Sequence, residues 1–552
     1  MRAARLKSWA RVAVALALLS AGWGARAQTT RAQTKAQASK AKGGEARWRS
    51  ALERVTAEDL RTHLKYISSD ELEGRKTPSR GLDLAAEYIA RQFRAAKLEP
   101  AGDDGYFQTA NWRLSARDAS AFRLAFKGGP AVAPEQIGVG FSVAGFNFWE
   151  PEGDLSLSGA PVFKVDYANV PASLTREQVE GRVVLTELPA FPRGDMGRAL
   201  QMLREENEFL SRMRGLGAPL VLAFERRSER ARGGRSPRVF DPETRGAGRN
   251  TPDFGFGGAQ AAPVLFVHGA AGARFYDSLP AGAAQTTADV RVPAPAESPV
   301  KVRNVAGLLR GSDPSLKDTY VIVSAHYDHL GVRENCDQTK EDCIFNGAND
   351  DGSGTVGVVE LASALSKLSP RPKRSILFMT FFGEELGLVG SRYYGRHPLV
   401  PLEKTVAQLN MEQIGRTDDS EGPQVGTLAV TGFDYSDVGA ALERAGEAEG
   451  VRVYKHPTKS DAYFSRSDNQ SLADAGVPAH TAGVAFDFPD YHAVGDEWQK
   501  IDFDNMTRVV RTVGRALLAL ADSAQEPRWN EQNPRASRYV DAWKKLHGNS
   551  RQ

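Results

Sequence analysis

The chain has 552 residues, of which 41% are apolar and 25% are charged, and its formal net charge is +3. A chain of this length is too long for one compact core, so we expect about two or three domains. The composition is typical of a globular protein. The small net charge indicates no particular partner, and without a clustered basic face we expect no binding to nucleic acid.

The first 27 residues have the pattern of a signal peptide. A cationic start, MRAARLKSWAR, precedes the short apolar stretch VAVALALLSAGWG, and Ala25 and Ala27 supply the small residues that a signal peptidase reads. The apolar stretch is much shorter than the roughly 20 residues that span a bilayer. We therefore predict export to a periplasm or out of the cell, without stable membrane insertion. An uncleaved anchor is the alternative.

Residues 28–48 are interpreted as a flexible leader because they contain almost no large apolar side chain. Two amphipathic helical patterns follow, TAEDLRTHLKYIS and SRGLDLAAEYIARQFRAAKL. Residues 128–299 differ in texture, with short apolar bursts such as GRVVLTEL and APLVLAFE between Gly and Pro residues. That texture predicts a β-rich segment that differs from the sequence on either side.

From about residue 300 to 525, strand-like runs alternate with helical patterns. TYVIVSAH, SILFMTFF and TVAQLNME have strand character, and GTVGVVELASALSKL has helical character. This alternation predicts an α/β fold, a mixed sheet with a mostly parallel centre and helices on both faces. Residues 526–552 are expected to be a polar tail with one short helix at RYVDAWKKL.

Side chains that bind metals recur next to these predicted elements. Two of them are histidines and three are carboxylates, and each lies at or beyond the end of a strand-like run or just before a helix. They are His326, Asp350, Glu385, Glu412 and His492. In an open α/β sheet, ligands gather beyond the carboxyl ends of the strands, so one common site is expected. Nitrogen and oxygen donors without a nearby thiolate suit zinc, with manganese or cobalt as lesser candidates.

The spacing of these residues suggests different roles. Asp328 shares a face with His326 on an extended chain, and a carboxylate there can accept the remaining imidazole N–H and fix its tautomer. Glu384 and Glu385 are adjacent and cannot point the same way from a strand. One is therefore expected to bind metal while the other handles a proton. His329 has no comparable support and is interpreted as structural.

Asp350 has two readings. It could be an acid at a helix start, where the helix dipole favours it, or a ligand. The flanking glycines allow close backbone approach, which favours the ligand.

The chain contains two cysteines, Cys336 and Cys343. In an oxidising compartment we expect them to form a disulfide that closes a small loop. Thiolate metal ligation is the alternative, but it would need two further ligands, and none is evident in that loop.

Five motifs together resemble those of the co-catalytic di-zinc aminopeptidases, a family that includes bacterial leucyl aminopeptidases and glutamate-carboxypeptidase-like relatives. They are AHYDHLG, NGANDDGSG, FFGEELGLVGS, NMEQIGR and DYHAVGDEW, in this order. The resemblance covers residues 49–127 and 300–525, and it implies that residues 128–299 are a protease-associated domain.

The resemblance implies a role for each site residue. Asp350 would bridge two zinc ions, with His326 and Glu412 completing one site and Glu385 and His492 the other. Glu384 would be the general base, and Tyr491 would help to stabilise the oxyanion.

The resemblance also implies a cis peptide bond between Asp350 and Asp351. The family often has Asp where this chain has Glu412, and the longer side chain could change the metal spacing. Asn469 and Ala493 also depart from the family pattern.

We therefore expect an exported zinc-dependent aminopeptidase acting on peptides. A carboxypeptidase or dipeptidase on the same scaffold is the nearest alternative, followed by a glutaminyl-cyclase-like acyl transferase and a receptor-like binding protein without activity. The sequence contains neither a His-Glu-x-x-His helix motif nor a Gly-x-Ser-x-Gly elbow, which are signatures of other hydrolases.

Overall fold

A computed structural model describes residues 44–143, 146–151, 153–189, 196–225, 238–243, 261–333 and 336–548. The predicted signal peptide and most of the predicted leader lie outside the described residues. The last part of that leader, which we expected to be flexible, begins a helix over residues 44–52. The helix is anchored because Arg47 forms a 2.7 Å ion pair with Asp522 and Trp48 packs against the core.

The helices of the described residues are distributed along the whole chain. In chain order they are α1 (44–52), α2 (Ala57–Ile67), α3 (Arg80–Ala95), α4 (Arg176–Val179), α5 (Met196–Gly215), α6 (Ala270–Ser278), α7 (Gly354–Leu365), α8 (Val389–Arg396), α9 (Asp437–Glu449), α10 (Lys459–Ala462), α11 (Asn469–Asp474), α12 (Phe503–Asp522) and α13 (Ser537–Gly548). Thr56 caps α2, since its side chain accepts a hydrogen bond from the Asp59 N–H.

The strands of the described residues form two large sheets and three small hairpins. In chain order they are β1 (Glu99–Pro100), β2 (Phe107–Ala116), β3 (Arg123–Phe126), β4 (Ala131–Val132), β5 (Ile137–Val139), β6 (Phe141–Val143), β7 (Phe146–Phe148), β8 (Leu155–Lys164), β9 (Val183–Glu187), β10 (Leu220–Glu225), β11 (Arg238–Phe240), β12 (Val264–His268), β13 (Gly282–Val292), β14 (Ala296–Leu309), β15 (Tyr320–His326), β16 (Gly331–Val332), β17 (Ile344–Phe345), β18 (Ser375–Phe381), β19 (Thr405–Met411), β20 (Asp418–Asp419), β21 (Gly422–Pro423), β22 (Thr427–Val430), β23 (Arg452–Tyr454) and β24 (Ala479–Gly483).

The larger sheet has the predicted mixed architecture. Its strand order is β11-β2-β14-β18-β15-β19-β24-β22-β23, with β1 beside β14. The central strands β18, β15, β19 and β24 are parallel, whereas β2, β14 and β18 pair in antiparallel fashion. The predicted α/β fold with a mostly parallel centre is therefore confirmed.

Helices cover both faces of this sheet. In β15, Val321 and Val323 join a cluster that includes side chains of α2, α3, α7, α9 and α12, whereas Ile322 joins a second cluster with α8, α11 and α13. Successive side chains of a strand point to opposite faces, so one strand contributes to both layers. This burial on both sides explains why the central strands read as continuous apolar runs.

The second sheet takes most of its strands from residues 128–299, the predicted protease-associated domain, and has the order β4-β3-β13-β8-β9-β10-β12-β5. It begins before residue 128, because β3 pairs with β13 of this sheet, and it ends with β13, so β14 already belongs to the larger sheet. Its strands β8, β9, β10 and β12 are parallel, with α6 contacting β10 and β12. The unit therefore combines a sheet with helices, and its protease-associated identity remains a prediction.

The segment after residue 525 is not a loose polar tail. Helix α13 forms where RYVDAWKKL predicted it, and Trp529 and Tyr539 are buried in the apolar cluster of the larger sheet. The Trp529 indole donates a 2.8 Å hydrogen bond to the Gly476 carbonyl, and its ring stacks on Tyr539 at 5.0 Å.

Among the described helices, none is both long and apolar enough for a membrane span.

Trp529→Ala tests whether this C-terminal segment is part of the fold. Removing a buried aromatic ring and its hydrogen bond should lower the free energy of unfolding by about 3–5 kcal/mol, measured by denaturant unfolding. Lys545→Ala, an exposed position on α13, is the control and should change it by less than about 0.5 kcal/mol. Equal effects of the two substitutions would show that the segment does not stabilise the domain.

Candidate metal centre

The candidate ligands meet at one edge of the larger sheet. His326 is the last residue of β15, Glu384 and Glu385 follow β18, and Glu412 follows β19. The parallel register pairs His326 with Phe381 at the end of β18, so these strands end at the same level. His492 reaches the same place from the long loop after β24, as its contacts show.

Asp350 stands between two groups of donors. Its Oδ1 lies 3.3 Å from His326 Nε2, and its Oδ2 lies 3.2 Å from His492 Nε2. His492 Nε2 is also 3.2 Å from Glu385 Oε2. On the other side, His326, Asp350 and Glu412 each offer a ligand atom within 4.8 Å of the others. One carboxylate therefore faces two possible cation positions with different neighbours.

The donor set fits a metal centre. His326 Nε2 and Glu412 Oε2 are buried and have no hydrogen-bond partner in the described part of the chain. Buried polar atoms without partners are costly and uncommon, and a cation would satisfy these. Imidazole nitrogens and carboxylate oxygens are the donors of catalytic zinc sites.

The electrostatics of the cluster also favour a cation. Burial raises the pKa of Glu384 well above its ordinary value, and the charges of Glu412 and Glu385 raise it further. Burial likewise raises the pKa of Glu412 to about 7. Although burial disfavours the charged form of Asp350, its contacts with His326 and His492 hold its pKa well below its ordinary value. A nearby cation would stabilise the ionised form of all these carboxyls.

Asp351 ties the ligand-bearing loops together. Its Oδ2 accepts a hydrogen bond from the His326 N–H at 3.3 Å, and its Oδ1 accepts from the N–H groups of Gly354 at 2.9 Å and Gln413 at 3.2 Å. Gln413 directly follows Glu412, so one buried carboxylate fixes three segments. The Asp350–Asp351 peptide is cis, which confirms that prediction.

Asp496 fixes the backbone of Asp350 from the opposite side. Its carboxylate accepts hydrogen bonds of 3.0 Å from the N–H groups of Asn349 and Asp350. Asp496 is fully buried, and burial raises its pKa to about 6. It belongs to the DYHAVGDEW motif, but no pattern in the sequence indicated which loop it would contact.

Arg75 joins two ligand-bearing loops through their carbonyl groups. Its guanidinium donates hydrogen bonds to the carbonyls of Tyr327 at 2.8 Å, Asn346 at 2.7 Å and Gly347 at 2.9 Å. Arg75 is completely buried, and burial lowers its pKa to about 10. Sequence reasoning missed this residue, because nothing in ELEGRKTPSR distinguishes it from a solvated arginine.

Asp328 lies beside His326, as its spacing predicted, but the geometry differs in detail. His326 Nδ1 is 3.5 Å from Asp328 Oδ1 and only 3.2 Å from the Asp328 carbonyl oxygen. Asp328 Oδ1 also accepts a 3.1 Å hydrogen bond from the Glu384 N–H. Asp328 therefore contacts both the first histidine and the turn that carries the two glutamates.

Tyr491 lies at the open side of the cluster. Its ring stacks on His492 at 4.0 Å, and 46% of its surface is exposed. Asn469 lies deeper, where its Oδ1 accepts a 2.8 Å hydrogen bond from the Thr481 hydroxyl.

The interpretation of His329 as merely structural was incomplete, since its Nδ1 lies 2.8 Å from Glu385 Oε1. The expected disulfide between Cys336 and Cys343 is present.

Comparisons with known proteins find similar sequences and a similar fold. Residues 304–517 match the model of peptidase family M28. The chain is 28% identical over 276 residues to a "Probable zinc metalloprotease" of Pyricularia oryzae, covering 42% of this chain and 52% of that protein. It is 30% identical over 168 residues to "Leupeptin-inactivating enzyme 1" of Streptomyces exfoliatus, covering 29% of this chain and 34% of that protein.

A solved structure shares the fold over most of the molecule. The aminopeptidase from Aneurinibacillus sp. strain AM-1 aligns with a TM-score of 0.52 and 20% identity, covering 88% of this chain and 97% of that chain. The chain spans about half or less of the length of the two curated relatives named above. The ligand cluster lies within residues 304–517, the part of the chain that matches the model of peptidase family M28.

Proposed function

We propose that this protein is an exported aminopeptidase that uses two zinc ions to hydrolyse the N-terminal residue of peptides. The observation that carries the proposal is the position of Asp350, whose two carboxylate oxygens face His326 and His492 separately. A shared carboxylate of this kind suits a pair of cations rather than one. Export rests on the pattern of residues 1–27 and on the disulfide.

Two sets of residues would hold the metals. His326, Asp350 and Glu412 would hold the first zinc, and Asp350, Glu385 and His492 the second. When bound, such a pair lowers the pKa of water towards neutrality and polarises the scissile carbonyl. Peptide hydrolysis then needs a residue that moves a proton, and no nucleophilic side chain.

Glu384 would carry out that proton transfer. Its backbone N–H donates a hydrogen bond to Asp328, and burial, together with the charges of Glu412 and Glu385, raises its pKa. A carboxyl with a raised pKa can take a proton from the attacking water and pass it to the leaving amine near neutral pH. Tyr491, at the open side, would donate a hydrogen bond from its hydroxyl group to the developing oxyanion.

The assignment as an aminopeptidase rather than a carboxypeptidase is supported by the aminopeptidase of matching fold. A panel of peptides with free or acetylated N-termini and with free or amidated C-termini tests it directly. We expect acetylation to abolish hydrolysis and amidation to leave it within a few-fold, as measured by release of the terminal residues. The opposite dependence would establish a carboxypeptidase, and no hydrolysis of any peptide by zinc-loaded protein would favour a binding protein.

Glu384→Gln isolates the proton-transfer role. The substitution keeps the size of the side chain but removes the base, so we expect kcat to fall by about 10²–10⁴-fold while both zinc ions remain bound. The measurement pairs steady-state kinetics with zinc quantitation on the same preparation. Near-normal kcat with full zinc occupancy would exclude Glu384 as the base.

The shared role of Asp350 predicts an asymmetry between two substitutions. Glu412→Gln should weaken one zinc site, whereas Asp350→Asn should weaken both, as measured by equilibrium zinc titration of the chelator-treated protein. Saturating zinc at about 1,000 times the Kd of each site should stabilise wild-type protein by roughly 4 kcal/mol per site, seen as a higher thermal midpoint. Two zinc sites of unchanged affinity in Asp350→Asn would contradict the shared ligand.

A further inference from the structure

His329 occupies a place in the cluster that the proposed ligand sets do not use. It lies just beyond β15, is 1% exposed, and its Nδ1 is 2.8 Å from Glu385 Oε1. Its ring meets the ring of His492 edge-on with centroids 5.7 Å apart. Neither ring nitrogen has a partner of full hydrogen-bond geometry in the described part of the chain, so the contact of Nδ1 with Glu385 is defined by its distance.

The backbone and the packing fix the position of this ring. The His329 N–H donates a 3.2 Å hydrogen bond to the Arg75 carbonyl, which belongs to the residue that joins the ligand loops. Gly347 leaves the space that the ring fills, since a Cβ at Gly347 would lie 2.5 Å from His329 Cγ. The φ of Gly347 is also +54°, which glycine adopts without strain. A defined backbone thus keeps His329 against Glu385.

The two oxygens of Glu385 face different histidines. Oε1 faces His329 Nδ1, whereas Oε2 faces His492 Nε2 at 3.2 Å, on the side of Asp350. A carboxylate on a flexible side chain can bind a metal through either oxygen or through both. A partner that engages one oxygen leaves the other to the metal and sets its direction.

We propose that His329 is a positioning residue for Glu385, holding Oε1 through Nδ1–H so that Oε2 is directed to the second zinc. The inference rests on the proposed two-zinc function and concerns one of its two sites. It predicts that loss of His329 lowers the zinc affinity of the site formed with Glu385 and His492. The zinc affinity of the site formed with His326 and Glu412 should stay unchanged. Loss of such outer partners typically costs about 10–100-fold in metal affinity.

Three substitutions separate positioning from other roles. His329→Ala removes the contact, His329→Asn places an amide N–H near the position of Nδ1, and His329→Gln places it near that of Nε2. The measurement is a competition titration with a chromophoric chelator that resolves both zinc affinities. Thermal unfolding of the zinc-free proteins reports whether each variant folds.

We expect His329→Ala to weaken one zinc site by about 10–100-fold and His329→Asn to stay within a few-fold of wild type. His329→Gln should resemble the alanine variant. If His329→Ala does not fold, the contrast between Asn and Gln still decides the question. His63→Asn is the matched control, because it breaks another histidine–carboxylate contact, that of His63 Nε2 with Glu360 at 2.9 Å, and should leave both affinities unchanged.

Three results would overturn the inference. Unchanged affinities in His329→Ala would show that the contact has no role in metal binding. Equal damage in His329→Asn and His329→Ala would show that Nδ1 binds the metal itself. Fewer than two zinc ions in wild-type protein would overturn the inference together with the proposed function, whereas the first two results leave that function standing.

Discussion

The structure depends on placing one buried carboxylate, Asp350, between two imidazoles. The surrounding acids make this arrangement costly, because burial and mutual repulsion raise the pKa of Glu384 and Glu412. Asp350 nevertheless favours the ionised state through His326 and His492. The backbone must therefore hold these groups together before any cation contributes, and the fold around the site can be understood as the means of doing so.

Buried polar groups provide that framework, and each of them acts on backbone atoms. Asp496 accepts from the N–H of Asp350, Asp351 accepts from the N–H groups beside His326 and Glu412, and Arg75 donates to carbonyls of two loops. Because each donor or acceptor is satisfied by chain segments far apart in sequence, displacing one loop would leave buried groups without partners. This coupling ties the ligand-bearing loops to one another.

The sequence predicted those elements of the fold and those site residues that a local sequence pattern indicates. Apolar runs on the central strands follow from burial on both faces, so their ends, and with them His326 and Glu412, could be located. The roles of Arg75 and Asp496 and the contact of His329 with Glu385 could not be predicted. Each of them depends on which loops, distant in sequence, lie close together in the fold. The start of the inserted unit was also misplaced, since β3 has the same apolar character in either sheet. The described C-terminal residues were predicted to be a polar tail because helix α13 buries only one of its faces.

Anomalous scattering at the zinc edge, from crystals grown with zinc, tests the central claim most directly. The account predicts two peaks about 3.5–4 Å apart on either side of the Asp350 carboxylate, one against His326 and Glu412 and the other against Glu385 and His492. A single peak, or peaks that Asp350 does not touch, would contradict it.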